Sequence, residues 1–542
     1  VKVAVGPMRC LALLVLAWRA VSGLKPSAVK SFADVYEVEA KIEAAPLLEA
    51  FNEETAYIDD DAECVGIVVV LDATCSYLGQ ELILQLQKRG IATVSLLSEY
   101  VGLNIASSMD TEVPSELLAP RCGSEQDWFE PSRRGRTVLA CLSESDCGIA
   151  TAERIGAALG AKFANANDGA IRRHKWLLHE VLRSVGLPAC RQRLCETEDD
   201  VATFFQEERA LSAQASIIVK PARGVGSDGV RLCAGVEEAK LAFRKLHDTH
   251  RYGGGSNDAV LAQQFLQGTE YAVDSVSRNG VHKITAMWRY DKRRLGEAPF
   301  VYYSTELCDV EPRVASALRS ALSAVGHLQG PAHSELIMSL ETVTVVEVNA
   351  RFHNANVGPL VKECCGGVTT IQAAADAVLP SDEAWDSIPV DATLSRAGKL
   401  VHLVCEVQGT LDTVDAHKFA LLQALPTVSG LELYGTHSTP GAPLRRTVDI
   451  KTDAGWVHLV GDKAAVENDY QQILNIQRGM FVVLPEASGV LPEASGAVPE
   501  ASGAVPEASD AAPDDGPAPD AADAPAAPAA GEAAVSPDVS LA

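Results

Sequence analysis

The sequence predicts a chain of mixed α/β and α+β character, on three observations: a strand-helix-strand pattern near the start, a lysine leading from a strand into a glycine-rich loop, and two acid-bearing strands after it. The first begins with Val65-Gly-Ile-Val-Val-Val-Leu71, a short apolar run ending at a turn. Gly79 to Gly90 follows at helical period and then Ala92-Thr-Val-Ser-Leu-Leu97, which together read as a βαβ unit. No G-x-G-x-x-G follows the first run, so no dinucleotide site is read there. Thr137-Val-Leu-Ala-Cys-Leu142 predicts a further strand, with a helix from about Ser145 to Gly160.

Bulk properties narrow the class. At 542 residues the chain exceeds one core and predicts roughly three domains plus tails. The formal charge is -26, yet the last sixty residues carry eleven acids and no Lys or Arg, so the body is only moderately acidic. That balance argues against a nucleic-acid partner. The thirteen Cys are odd in number, include the adjacent pair Cys364-Cys365 and show no C-x-x-C spacing, so they read as reduced thiols.

Residues 1–30 read as a targeting segment: Arg9, the apolar run Cys10 to Trp18, then Ala20-Val-Ser22, with no acid before Asp34. The run is too short to span a membrane. A secretory signal and an organellar transit peptide both fit, as does an ordinary N-terminal helix. The expected compartment is the cytoplasm or an organelle stroma. From Val483 the heptad Val-Leu-Pro-Glu-Ala-Ser-Gly repeats four times with small changes. A Pro in every repeat excludes a coiled coil, so 483–542 is predicted as a disordered acidic Pro/Ala tail.

Between these ends, Arg172 to Gly186 predicts one helix with Trp176, Leu177, Val181 and Leu182 on its apolar face. The runs Val260–Leu266, Tyr271–Ser277 and His282–Arg289 predict antiparallel strands joined by Gln267-Gly268 and Asn279-Gly280. Gly398 to Phe481 predicts a smaller α+β module.

Lys220 ends the strand Ser216-Ile-Ile-Val-Lys220 and enters a loop with Gly224, Gly226 and Gly229, where backbone amides and one ammonium can wrap oxyanions. A plain hairpin turn fits the glycines as well. Lys175 is a second candidate phosphate contact. In Thr344-Val-Val-Glu-Val-Asn-Ala-Arg351 strand alternation turns Glu347, Asn349 and Arg351 to one face, and Glu335 lies on the preceding strand. Two carboxylates and an amide suit hard Mg²⁺, while a solvated strand face is the bland alternative. Gln263 to Glu270 offers an edge strand for a base and a carboxylate for ribose hydroxyls. Any hairpin has the same outline.

In this order and at these spacings the elements Arg172-x-x-Lys175, Val219 to Gly229, Gln263 to Asp274, Glu335 and Glu347-Val-Asn-Ala-Arg351 resemble the ATP-grasp superfamily. Val273 to Lys283 and Trp288 to Lys292 are similar to the carboxylate-amine ligases that join amino acids, including L-amino acid ligases and carnosine-synthase-like enzymes. The resemblance implies an ATP-grasp fold: a pre-ATP-grasp βαβ domain over 60–165, a two-lobed ATP-binding domain over 166–385 and a C-terminal α+β module over 396–482.

It also implies ATP contacts from Lys175, Lys220, Arg223, Gly224, Gly226, Ser227, Gln263, Gln264, Leu266 and Glu270. Glu335, Glu347 and Asn349 are implied to hold Mg²⁺, or Mn²⁺, and Arg351 to stabilise a tetrahedral oxyanion. Gln263 departs from the Glu that many relatives carry. The expected reaction joins a small carboxylate to an amine through an acyl phosphate, in a homodimer by family expectation. Trp288, Arg289, Lys292, Arg293 and Arg294 form a basic, aromatic stretch for substrate carboxylates, with a solvated strand end as the alternative. His333 and His353, with Asn354 and Asn356, are further substrate candidates, although a structural role also fits His333. An ATP-grasp ligase or carboxylase for another carboxylate, and a nucleotide-binding scaffold, remain alternatives.

Overall fold

The described chain opens on three parallel strands, β1 (Gly66–Leu71), β2 (Ile91–Leu96) and β3 (Val138–Ser143), in the order β2-β1-β3. The structure is a computed structural model and describes residues 65–73, 77–99, 136–165, 169–224, 229–247, 249, 257, 260–353, 357–366 and 368–485. The predicted segment 1–30, Gly226, Ser227, Asn354, Asn356 and the tail beyond Pro485 lie outside the described residues. Every residue of β1 is buried, as a central parallel strand covered on both faces requires. Leu78, Leu82 and Leu86 pack on one side of this sheet, and Ala152, Ile155 and Leu159 on the other.

The helix predicted from Ser145 runs only from Ile149 to Ala158. Glu144 to Gly148 is instead a polar loop, because Ser145 Oγ and Ser98 Oγ both donate to the buried Asp72 carboxylate, at 2.5 and 2.9 Å. The single helix predicted over Arg172–Gly186 is also broken, into Gly169–Arg173 and Lys175–Ser184. His174 is extended between them, and the Lys175 N–H reaches the Ala222 carbonyl at 2.9 Å. Leu178, His179 and Leu182 form the buried face, in place of the face read from Trp176, Leu177 and Val181.

A four-stranded antiparallel sheet follows, made of β4 (Gln192–Cys195), β5 (Ile217–Pro221), β6 (Arg231–Cys233) and β7 (Val260–Gln264) in the order β4-β7-β5-β6. The helices Glu198–Leu211 and Val236–Leu246 bury Val201, Phe204, Phe205, Phe243 and Leu246 against it. A capping box between Thr197 and Asp200 fixes the start of the first helix.

Next come β8 (Thr269–Arg278), β9 (Val281–Leu295), β10 (Ala298–Leu307), β11 (Gly330–Met338) and β12 (Val343–Asn349). Asn279 and Gly280, both at positive φ, close the β8–β9 hairpin as predicted. The hairpin expected between β7 and β8 is not formed: β7 pairs with β4 and β5, and β8 with β9 and β11. Gly268 lies between the two sheets against the Met338 carbonyl, where an added Cβ would sit 2.3 Å from the oxygen. β9 also runs past Arg289 to Leu295, because its charged residues find partners within the fold.

The remaining strands are β13 (Ala397–Leu403), β14 (Gly409–Val414), β15 (Val428–Leu433), β16 (Pro443–Leu444), β17 (Gly455–Gly461) and β18 (Phe481–Val483). β13 pairs with β10, so one eight-stranded sheet runs β12-β11-β8-β9-β10-β13-β17-β15, with β16-β14-β18 beside it. Among the described residues no helix is long and apolar enough to cross a membrane.

Candidate active site

Antiparallel register sets Glu335 directly opposite Glu347, and His333 opposite Asn349. Asn349 Nδ2 donates to Glu347 Oε1 at 3.0 Å, while Lys175 Nζ lies 2.6 Å from Glu347 Oε2. The helix break at His174 makes Lys175 the first residue of its helix, from which its ammonium also donates to the Gly224 carbonyl at 2.9 Å. Burial opposes ionisation of Glu347, yet the ammonium of Lys175 and the Asn349 amide hold its carboxyl well below the usual range. Glu335 is also held down, by Lys292 and His333 against burial and Glu347, whereas burial pushes Glu270 up.

Lys220 is buried at the end of β5, and burial, aided by the charge of Lys175, lowers its pKa to about 8. An ammonium so placed gains from any anion brought beside it. Gly224 is buried and Arg223 exposed on the same loop. Gln263 does not present a free edge: its buried amide donates to Gln192 Oε1 at 2.9 Å, and Gln192 in turn donates to the Trp176 carbonyl at 2.9 Å. Gln264 Oε1 accepts from the Arg191 N–H at 3.0 Å, and Leu266 is half-buried. Glu270 is paired with Lys292 at 2.6 Å, whose ammonium lies over the Tyr290 and Tyr302 rings, 4.7 and 4.4 Å from their centroids.

Arg351 departs from the expected strand face. β12 ends at Asn349, and the guanidinium turns to the first region, where Nε donates to Asp146 Oδ2 at 2.8 Å. Arg173 Nη1 holds the other oxygen of Asp146 at 2.9 Å, and Arg351 Nη1 also donates to the Phe352 carbonyl at 2.7 Å. Asp146 gave no local signal, because only the packing of the β3 loop on the end of β12 brings it there.

The basic stretch on β9 is not a free anion site. Arg289 pairs with Glu306 at 2.7 Å, Lys292 with Glu270, Arg293 with Asp291 at 2.6 Å, and Arg294 Nε donates to the Gly296 carbonyl. Trp288 is fully buried and donates its indole N–H to Asp274 Oδ2 at 2.7 Å, so it supports the site instead of lining it. Asp274 also takes His333 Nδ1 at 3.0 Å and His353 Nδ1 at 3.2 Å. Its role was missed in the sequence, although it shares a strand face with Glu270 through alternation along β8.

Residues 213–358 match the family described as ATP-grasp domain. Dapdiamide A synthase of Enterobacter agglomerans is 24% identical over 338 residues, 61% of this chain and 77% of that protein. The L-amino acid ligase from Bacillus licheniformis superposes with a TM-score of 0.56 at 16% identity, covering 78% of this chain and 99% of that one. A carboxyaminoimidazole ribonucleotide synthase from Aspergillus clavatus complexed with ATP gives 0.53 at 14% identity, over 77% and 99%. The chain has the ATP-grasp fold, with its mixed sheets and helices, carries an ATP-grasp domain over 213–358, and resembles the carboxylate-amine ligases of the ATP-grasp superfamily.

Proposed function

We propose that the chain joins a small carboxylate, an amino acid, to an amine at the expense of ATP, through an acyl phosphate. The observation that carries the reading is the facing pair Glu335 and Glu347 with Lys175, Lys220 and Arg351 around it. The donor set fits Mg²⁺ or Mn²⁺: it consists of oxygens, and Glu335 and Glu347 disfavour each other's charge unless a cation intervenes. Glu335, Glu347 and Asn349 would hold the ion, which would offset charge on the phosphates.

In this reading Lys220 and Lys175 bind phosphate oxygens, with Arg223, Gly224, Gly226 and Ser227 as further ATP contacts. Backbone groups of Gln264 and Leu266 take the base. Glu270 takes the ribose. The substrate carboxylate attacks the γ-phosphorus as its bond to the β–γ bridging oxygen breaks and ADP leaves, and the amine then displaces phosphate from the acyl carbon. Arg351 stabilises the oxyanion that forms between these states, held in place by Asp146. By this assignment 60–165 is the pre-ATP-grasp domain, 166–385 the ATP-binding domain and 396–482 the C-terminal module.

Phosphate release by the full chain, with ATP and Mg²⁺, screened against amino-acid pairs with mass spectrometry of the products, tests the reading. Release that requires a particular pair and yields their summed mass minus water is expected. Release with a single carboxylate that is not an amino acid, or none with any pair despite ATP binding, would overturn it.

A further inference from the structure

The junction at Asp274 has no part in the steps above. Its carboxylate accepts three hydrogen bonds, from Trp288 Nε1, His333 Nδ1 and His353 Nδ1. An ionised carboxylate only accepts, so both rings carry a proton on Nδ1, and in a neutral ring Nε2 is left as a lone pair. The rings stack at 4.0 Å with 28° between their planes, and Trp288 meets His353 edge-on at 5.7 Å.

The two imidazoles are not equivalent. His333 Nε2 lies 3.8 Å from Glu335 Oε1, so His333 bridges two carboxylates. His353 has no second carboxylate among the groups that face it: Asp274 from β8, His333 from β11 and Arg351 from its own segment. Burial pushes its pKa below the usual imidazole value, with Asp274 opposing and Arg351 adding to the depression. It is also the more open ring, with a side chain 13% exposed against 5% for His333.

We propose that His353, oriented by Asp274, is the general base that takes the proton from the attacking amine. This rests on the ligase reading. The amine nitrogen forms the C–N bond, the bond from the acyl carbon to the phosphate oxygen breaks with its electron pair leaving on phosphate, and the proton on nitrogen passes to His353 Nε2 and then to solvent. The placement two residues beyond Arg351 brings the base to the same end of β12 as the oxyanion contact. A carboxylate, an imidazole and a free Nε2 in series form the usual geometry of an oriented base.

The test compares two acceptors on the full chain: an amino acid, largely protonated at neutral pH, and hydroxylamine, which is already unprotonated and traps acyl phosphates as hydroxamates. His353→Gln is expected to lower the amino-acid rate about 100-fold relative to the hydroxylamine rate. The residual rate should keep rising with pH where the native enzyme levels off. Asp274→Asn, which keeps the volume but lets the ring choose the other tautomer, should shift the same ratio in the same direction. An equal loss with both acceptors, or no loss with either, would overturn the role. So would a stoichiometric transition metal in the purified protein that is lost in Asp274→Asn, since Asp274, His333 and His353 lie close enough to share an ion. Hydroxamate formed by the native enzyme but no change in His353→Gln would sink this inference alone; no hydroxamate with any carboxylate would sink the ligase reading beneath it.

Discussion

The four-stranded and the eight-stranded antiparallel sheets meet the site in different ways. The four-stranded sheet supplies one buried ammonium, Lys220, and the backbone carbonyl of Gly224, while its polar Gln263 is tied to Gln192 inside the lobe. The eight-stranded sheet supplies side chains in fixed register: Glu335 opposite Glu347, His333 opposite Asn349 and also beside Asp274, with Glu270 against Lys292. Backbone groups and a lone charge recognise phosphate with little geometric demand, whereas paired carboxylates act on one position only. Substitutions in the large sheet should therefore cost turnover, and those in the small sheet affinity.

The sharpest way to break that contrast is Glu347→Ala. It removes a half-buried acid and no core volume, so the fold should survive with a melting temperature close to the native one. Turnover should fall by at least about 1,000-fold. Full activity in a steady-state assay would remove the acid pair from the chemistry. Asp146→Asn comes next. It keeps the shape but weakens the hold on Arg351, so kcat should drop about tenfold to 100-fold with the KM for ATP nearly constant. A rise in the KM for ATP at unchanged kcat would place Arg351 on the nucleotide instead.

Lys220→Ala should raise the KM for ATP roughly tenfold, about 1.4 kcal/mol, and leave kcat within about threefold. A fall in kcat with constant KM would reverse the division between the sheets. The pH dependence has a definite sign. In the free protein Lys220 loses its proton as pH rises through about 8, so nucleotide affinity measured by titration should weaken above that pH. Stability responds oppositely. The unfolded lysine keeps its proton up to its ordinary value near 10.5, so across the interval above pH 8 the unfolded chain binds more protons, and this residue's contribution to stability rises with pH.

Much of this was legible in the chain. Apolar runs of strand length located β1 to β3, and alternation placed Glu335 and Glu347 on facing strands, because both signals are local. What was illegible depended on register between distant strands. β9 looked finished at Arg289 because Lys292 and Arg293 read as solvated charge, whereas Glu270 and Asp291 neutralise them. β7 and β8 looked like a hairpin because nothing in Gln267-Gly268 tells a tight turn from a passage between sheets. The junction of Asp274 with His333 and His353 joins β8, β11 and the segment after β12, and Asp146 reaches Arg351 across 205 residues. No spacing rule spans such distances.

The smallest effect is expected at the C-terminal end, and there the structure moves the cut. Removing everything from Val483 looks harmless from the repeat, but Val483 pairs with Leu411, and the Leu484 N–H donates to the Thr410 carbonyl at 2.9 Å. A chain ending at Pro485 keeps β18 whole and should turn over within about twofold of the full chain, since it loses acidic repeat sequence that supplies no group to the site as proposed. A chain ending at Met480 loses the buried Phe481 from the core around Leu411 and Tyr470, at a cost of about 3 kcal/mol. Its midpoint in urea should therefore fall while the KM for ATP, set at Lys220 in another sheet, stays put. If the Pro485 cut lowers kcat and the Met480 cut adds nothing further, the repeat belongs to the catalytic machinery after all, and the division of labour between the two sheets is incomplete without it.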